Sequence, residues 1–170
     1  QLIMIFLGIG SNLSSSFGDR FKNIDLAISF LETYKINIIK KSSFYETFSY
    51  PNKSNPKFIN SVIAVETKLP PVDLMSVLIF VEEKLERKRS KKNDPRTCDL
   101  DIIDYNYQIM NFKYRDLELT LPHKEMTNRN FVLYPLREIY PNWIHPLTKK
   151  NINVLIKDLK TSNNEITKLS

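Results

Sequence analysis

Apolar and polar positions change period several times along the chain, and each change marks an element. The run Leu2-Ile3-Met4-Ile5-Phe6-Leu7 is continuously apolar, which predicts a buried first strand over about 2–8. From Phe17 to about Thr33, Phe21, Ile24, Ile28 and Leu31 recur every three or four positions, the period of an amphipathic helix, with Ser16 and Asp19 as candidate caps. Residues 36–48 and 58–68, rich in Ile, Val, Thr and aromatics, predict two strands. The polar, Pro-containing loop between them, 49–57, is longer than a hairpin needs and is expected to be functional. Pro70-Pro71 opens a second helix carrying Leu74, Val77, Leu78, Val81 and Leu85 on one face to about Lys88.

Beyond Pro95, Cys98, Leu100 and Ile102 alternate with Thr97, Asp99 and Asp101, the period of a strand over 98–104. Hairpin structure is expected over 105–121 and a short helix over 152–160, while 161–170 is polar enough to fray. Gly8-Ile9-Gly10-Ser11-Asn12-Leu13 is expected as a tight turn whose backbone approaches a ligand. The order β-α-β-β-α-β is that of the split β-α-β, ferredoxin-like α+β fold: an antiparallel sheet with helices packed on it, in α/β/α layers with C-terminal additions. With no repeat or linker, 1–170 reads as a single domain large enough for one core.

Charge alters this picture in one place. The net charge is +6, and residues 84–96 alone carry seven positive and two negative side chains. A nucleic-acid surface would spread its cations along a stripe, so focused charge favours a small anionic ligand. Cys98 is the only cysteine, which excludes an intrachain disulfide and a cysteine-based zinc site and fits a reducing cytoplasm. The opening apolar run is too short to span a bilayer. Three glycines in the whole chain leave neither a Walker A loop nor a Rossmann fingerprint, whose third glycine would fall at Leu13.

The chemistry concentrates beside the cationic run. Asp99 and Asp101 share one face of their strand, roughly 7 Å apart at the Cα, where they repel unless a divalent cation or a pair of them lies between. A D-x-D pair alone is common on solvated faces, and a Lys/Arg run is usually a solvated loop. Side by side they make a site for a metal-bound polyphosphate.

Gly8-Ile9-Gly10-Ser11-Asn12-Leu13, Ser43-Phe44-Tyr45-Glu46-Thr47, Phe58-Ile59-Asn60, Pro95-Arg96-Thr97-Cys98-Asp99-Leu100-Asp101-Ile102, Leu121-Pro122-His123 and Arg129-Asn130-Phe131-Val132-Leu133-Tyr134-Pro135-Leu136 resemble, in the same order, the motifs of 6-hydroxymethyl-7,8-dihydropterin pyrophosphokinases. The resemblance covers about residues 3–146. It implies transfer of the pyrophosphoryl group of ATP to the pterin hydroxymethyl oxygen, giving AMP and the pterin diphosphate used in folate biosynthesis. It implies two Mg²⁺ ions on Asp99 and Asp101, hard cations that favour oxygen ligands. Arg87 and Arg96 match the family's phosphate-binding arginines and, with the two aspartates, form the implied catalytic set. His123, Arg129 and Thr120 match its ATP site, and the loop 89–95 is implied to close over the nucleotide.

For the pterin the resemblance points to Thr47, Tyr50, Phe58, Asn60 and Phe131, aromatic faces to stack on and an amide to read the ring edge. Glu82, which pattern alone makes an exposed partner for Lys84 or Lys88, matches a family carboxylate near the active centre and joins this set. His145 acquires no role. The chain departs from the family at Thr47-Phe48-Ser49, where Thr-Pro-Pro is usual, and at Tyr50, where an aliphatic residue is more common. Glu86 replaces a frequent glycine, Asn93-Asp94 a frequent Trp-Gly, and Lys124 a proline or aromatic. Two other classes remain to be weighed: an RNA-binding ferredoxin-like module, against which no strand shows an aromatic RNP1 pattern, and a two-metal nuclease or nucleotidyl transferase using the same carboxylates. The expected partners are ATP and the pterin, with no nucleic acid and no membrane, for a monomer.

Overall fold

The computed structural model describes residues 3–89, 91–160 and 165–170. Its main sheet comprises β1 (Ile5–Ser11), β2 (Asn37–Lys41), β3 (Tyr45–Thr47), β4 (Phe58–Glu66), β5 (Asp99–Tyr105) and β8 (Ile166–Lys168). The strand order is β5-β1-β4-β3-β8, with β2 also paired to β4, and every pairing is antiparallel. Helices α1 (Arg20–Thr33) and α2 (Pro71–Lys84) supply the two crossovers of the split β-α-β. The hairpin β6 (Met110–Tyr114) and β7 (Leu117–Leu121) forms its own two-stranded sheet. A 3-10 turn at Met126–Asn128, then α3 (Asn130–Ile139) and α4 (Ile152–Lys157), complete the chain.

The sheet is covered on both faces, which is why β4 is buried at every position from Ile59 to Val65 rather than at alternate ones. On one face Ile5, Leu7, Ile63, Leu100 and Ile102 pack against Ile24, Ala27 and Leu31 of α1 and Leu74, Leu78 and Val81 of α2. On the other, Phe6, Val62, Ala64 and Ile103 meet Val132, Leu133 and Leu136 of α3, Trp143, and Leu155 of α4. Helices on both faces give the expected α/β/α layers.

Helix α1 starts at Arg20 rather than Phe17 because, of the two candidate caps, it is Asp19 whose carboxylate accepts from Lys22 N at 2.9 Å. Helix α2 begins at Pro71 as expected but stops at Lys84, short of Lys88. There Glu86 N bonds Glu83 O at 3.0 Å and Arg87 N bonds Glu82 O at 3.1 Å, a Schellman closure with Glu86 in the left-handed region at φ 68°.

Three expectations are corrected. The strand expected over 36–48 is two strands, both paired to β4. They are interrupted where Ser42 turns its hydroxyl inward to bond Ser61 Oγ at 3.0 Å and Val62 N at 3.0 Å. The supposed glycine turn after residue 8 lies inside β1, because β1 has a partner on each side and the ladder runs on through Gly8 and Gly10. The C-terminal tail does not all fray. Residues 161–164 lie outside the described residues, but Ile166–Lys168 adds to the edge of β3, extended by Phe44 N to Ser170 O at 3.0 Å and Leu169 N to Phe44 O at 2.8 Å. Main-chain pairing at a free edge holds this strand, so its polar side chains are no obstacle.

Candidate active site

The site is assembled where β1, β4 and β5 run side by side. Asp99 and Asp101 stand on the α3 side of β5, half-buried. In the β1–β5 register, Gly10 is opposite Asp99 and Gly8 opposite Asp101, so neither carboxylate faces a cross-strand side chain. A Cβ on Gly10 would come within 2.7 Å of Asn60 Oδ1, and one on Gly8 within 3.3 Å of Ile103. The glycines serve close approach of strands and side chains, not a turn.

Both ends of the cationic run converge on Asp99. Arg87 NH1 donates to Asp99 Oδ1 at 3.1 Å, and Arg96 NH1 lies 3.6 Å from Asp99 Oδ2. Glu82 is not an exposed partner of Lys84 or Lys88. Its side chain is 2% exposed, pairs with Arg87 and Arg89, and accepts from Leu100 N at 2.8 Å. Burial pushes its carboxylate up to about 7 against the pull of Arg87. It braces the arginines from between α2 and β5 and does not line the cavity that holds the other residues assigned to the pterin. Arg96 is held at its backbone: Arg96 N donates to Asn12 Oδ1 at 2.8 Å, and Asn12 N to Arg96 O at 3.0 Å. Lys91 and Lys92 are exposed. Ser90, within the loop 89–95, lies outside the described residues.

A second group faces Asp101. Arg129 NH1 lies 3.8 Å from Asp101 Oδ2, and His123 Nε2 lies 3.9 Å from Asp101 Oδ1. Burial, and then Arg129, hold His123 down at about 4, so the imidazole is neutral at physiological pH. Its Nδ1 accepts from Glu125 N at 3.1 Å, which leaves the ring proton on Nε2, facing Asp101. Thr120, His123 and Asp101 line one small cleft together with Met75, Phe112, Glu118 and Lys124.

On the other side of Asp99 lies a cavity of about 220 Å³ lined by Thr47, Phe48, Tyr50, Phe58, Asn60, Asn93, Arg96, Asp99, Arg129 and Phe131. Every residue matched to the pterin except Glu82 lines it. Asn60 Nδ2 donates to Thr47 Oγ1 at 3.1 Å, leaving its carbonyl oxygen over Gly10. Arg129 stacks over the Phe131 ring at 5.5 Å, so one residue touches both the cavity and Asp101.

The donor set fits magnesium. Burial, and next the negative charge of Asp99, push Asp101 up to about 7, a repulsion that a divalent cation on the pair would relieve. No cluster of three His, Cys, Asp or Glu side chains occurs among the described residues. A magnesium ion held by these two carboxylates would complete its shell with other oxygens, of the substrate's phosphates, of the backbone or of water.

Sequence reasoning missed Asn12, Phe48, Asn93 and Arg89. Asn12 lies within the Gly8–Leu13 motif, and its clamp on Arg96 spans 84 residues, which no local pattern reports. Phe48 and Asn93 were legible only as departures, yet both line the cavity.

The family described as 7,8-dihydro-6-hydroxymethylpterin-pyrophosphokinase (HPPK) matches residues 6–141. The 2-amino-4-hydroxy-6-hydroxymethyldihydropteridine pyrophosphokinase of Aquifex aeolicus is 35% identical over 159 residues, covering 94% of this chain and 91% of that protein. The folic acid synthesis protein fol1 of Schizosaccharomyces pombe is 32% identical over 155 residues, covering 91% of this chain. Against that protein the chain spans only 20% of the length. The Plasmodium falciparum HPPK-DHPS crystal structure with pteroate superposes with a TM-score of 0.72 at 15% identity, covering 92% of this chain and 44% of the other, a likeness of fold.

Proposed function

Because this chain belongs to the 7,8-dihydro-6-hydroxymethylpterin-pyrophosphokinase family, we propose that it transfers the pyrophosphoryl group of ATP to 6-hydroxymethyl-7,8-dihydropterin in folate synthesis. The oxygen of the hydroxymethyl group attacks the β-phosphorus and loses its proton to solvent, the bond from that phosphorus to the α-phosphate oxygen breaks, and AMP leaves. The observation that carries this reading is that the 220 Å³ cavity opens onto Asp99, Arg96 and Arg129, so a ring held there meets the phosphate-binding side chains directly.

Such a transfer asks the protein for alignment and charge neutralisation more than for covalent chemistry. Phe58 and Phe131 stack on the pterin, Asn60 and Thr47 read its polar edge, and Tyr50 closes one side. Arg87 and Arg96 grip the β- and γ-phosphates, their guanidinium planes fixed by Glu82 and Asp99. His123, neutral with its proton on Nε2, donates to a phosphate oxygen, and Arg129 adds charge there; Thr120 borders the nucleotide. Family members use ATP, generally with Mg²⁺; we assign two ions to Asp99 and Asp101, where they supply phosphate charge neutralisation and a more acidic hydroxymethyl group. In this reading residues 1–170 act as one domain and as a monomer, in the cytoplasm, without nucleic acid.

The test is AMP formation from ATP and Mg²⁺ with and without 6-hydroxymethyl-7,8-dihydropterin. Pterin-dependent AMP is expected. ADP as product would make this a simple kinase, and Mg²⁺-dependent cleavage or extension of an oligonucleotide with no response to pterin would favour the nuclease or transferase class.

A further inference from the structure

Glu86 occupies a backbone conformation that suits glycine, at φ 68°, and spends its side chain on a distant segment. Ser16 N donates to Glu86 Oε1 at 2.7 Å, and the Ser16 hydroxyl donates to Glu86 Oε2. These contacts span 70 residues and lie at the surface. They draw the carboxylate below its ordinary value. Four positions before Ser16 in the chain, Asn12 clamps the backbone of Arg96. One position after Glu86, Arg87 turns in to Asp99.

The consequence is a closed frame. Arg87 stands just past the end of α2 and Arg96 just before β5. The loop between them has its first foot tied through Glu86 to Ser16 and its second tied to Asn12 on the same short segment, 12–16. Both arginines flank one carboxylate, at 3.1 and 3.6 Å. Spacing between the two feet is therefore set across the Ser16–Glu86 contact as well as through the sheet.

We propose that Glu86 is a positioning residue for ATP: its bonds to Ser16 fix the separation of Arg87 and Arg96, and thereby the grip of the two guanidinium groups on a polyphosphate. This rests on the functional reading above. Glu86 touches no substrate in it and acts only through the arginines. A carboxylate that merely held the helix end would affect folding stability, whereas a frame that spaces two phosphate-binding groups affects ATP first and the pterin only through Arg96 at the border of its cavity.

The variants are Glu86→Gln, which keeps one acceptor for Ser16 N, Glu86→Gly, which suits the backbone but removes the contact, Ser16→Ala, and the double variant Ser16→Ala/Glu86→Gly. Glu83→Gln, on an exposed position of α2, is the control. For Glu86→Gly the expected result is an ATP KM raised roughly tenfold or more, since small misplacements of binding groups are costly. Its pterin KM should rise much less, because only Arg96 of the frame borders that cavity, and its melting temperature should equal or exceed wild type. Glu86→Gln falls between wild type and Glu86→Gly, and the double variant is no worse than Glu86→Gly alone. Wild-type ATP KM in Glu86→Gly overturns the proposal, as does an equal rise in both substrates' KM.

Titration calorimetry with a non-hydrolysable ATP analogue and Mg²⁺ separates this from the reading of activity. If the wild type binds the analogue and Glu86→Gly binds it roughly tenfold more weakly, the frame stands even where no pterin-dependent AMP is formed. If the wild type binds no analogue, both fall.

Discussion

Gly10 lies opposite Asp99 in the β1–β5 ladder and opposite Asn60 in the β1–β4 ladder. One residue without a side chain thus separates the Asp99 carboxylate from the Asn60 amide, and both line the same cavity. The cavity and the strand that carries Asp99 and Asp101 can adjoin because Gly10 projects no side chain between them.

Substituting Gly10→Ala places a Cβ 2.7 Å from Asn60 Oδ1. The atom in the way is the tip of a side chain rather than backbone, so it can move, and the overpacking cost stays at the low end, about 1 kcal/mol. Moving it breaks the Asn60–Thr47 bond and turns the amide away from the cavity. The expected outcome is a pterin KM raised roughly tenfold or more with ATP KM near wild type. Steady-state kinetics with each substrate varied in turn checks this, and an unchanged pterin KM would remove Asn60 from ring recognition.

Asp101 sets a dependence on pH. Its carboxyl is pushed from 3.8 up to about 7 by burial and then by Asp99, so the folded metal-free protein holds that proton more tightly than the unfolded chain does. Ionised Asp101 therefore costs stability, and the cost grows as pH rises from about 4 to about 7 and is constant above. Asp101→Asn should lose pterin-dependent AMP formation yet melt higher than wild type in EDTA at pH 8, by a margin that shrinks to nothing near pH 3. In the wild type, Mg²⁺ affinity should fall as pH drops below about 7, with a proton released on binding. Calorimetry in buffers of different ionisation enthalpy reads that proton; its absence at pH 6.5 would place the metal elsewhere.

His123 should not titrate in the working range. Burial and Arg129 hold it near 4, so a profile of kcat/KM between pH 6 and 8 should contain no ionisation that His123→Gln abolishes. His123→Ala removes the Nε2–H donor and should lower turnover by roughly a hundredfold, the usual loss for one donor to a developing charge. NMR titration of the ring provides the independent check, and an imidazole pKa near 6.5 would make His123 a cation beside Asp101 instead of a neutral donor.

How much of this was legible in the sequence depends on the distance over which each feature is encoded. The period-2 alternation at 98–104 placed Asp99 and Asp101 on one face without any tertiary information, and Pro70-Pro71 marked the start of α2 by local sterics. The glycines of β1 misled because glycine is commoner in turns than in strands. Only the two flanking ladders show that Gly8 and Gly10 are strand residues. Glu82 misled because Lys84 and Lys88 stand near it in the chain and suggest an exposed pair, whereas its burial follows from β5 passing beside α2. Tail strand β8 is held by main-chain bonds, which side-chain patterns do not report.

Glu82 gives the sharpest separation of stability from chemistry. Its carboxylate joins Arg87, Arg89 and the Leu100 amide with the side chain 2% exposed. Removing one member of a buried pair leaves the other charge without compensation, and Arg87 is itself only 10% exposed. Glu82→Ala should therefore lower unfolding free energy by about 3 kcal/mol, the low end for such a loss, since Asp99 still accepts from Arg87. Glu82→Gln keeps an acceptor for Leu100 N and should lose less. Where either variant stays folded at low temperature, turnover should fall through Arg87: freed from Glu82, the guanidinium closes on Asp99 and withdraws from the phosphates. Urea denaturation together with ATP KM measured at 10 °C resolves the two effects, and a variant destabilised by this amount with wild-type ATP KM would show that Asp99 alone suffices to aim Arg87.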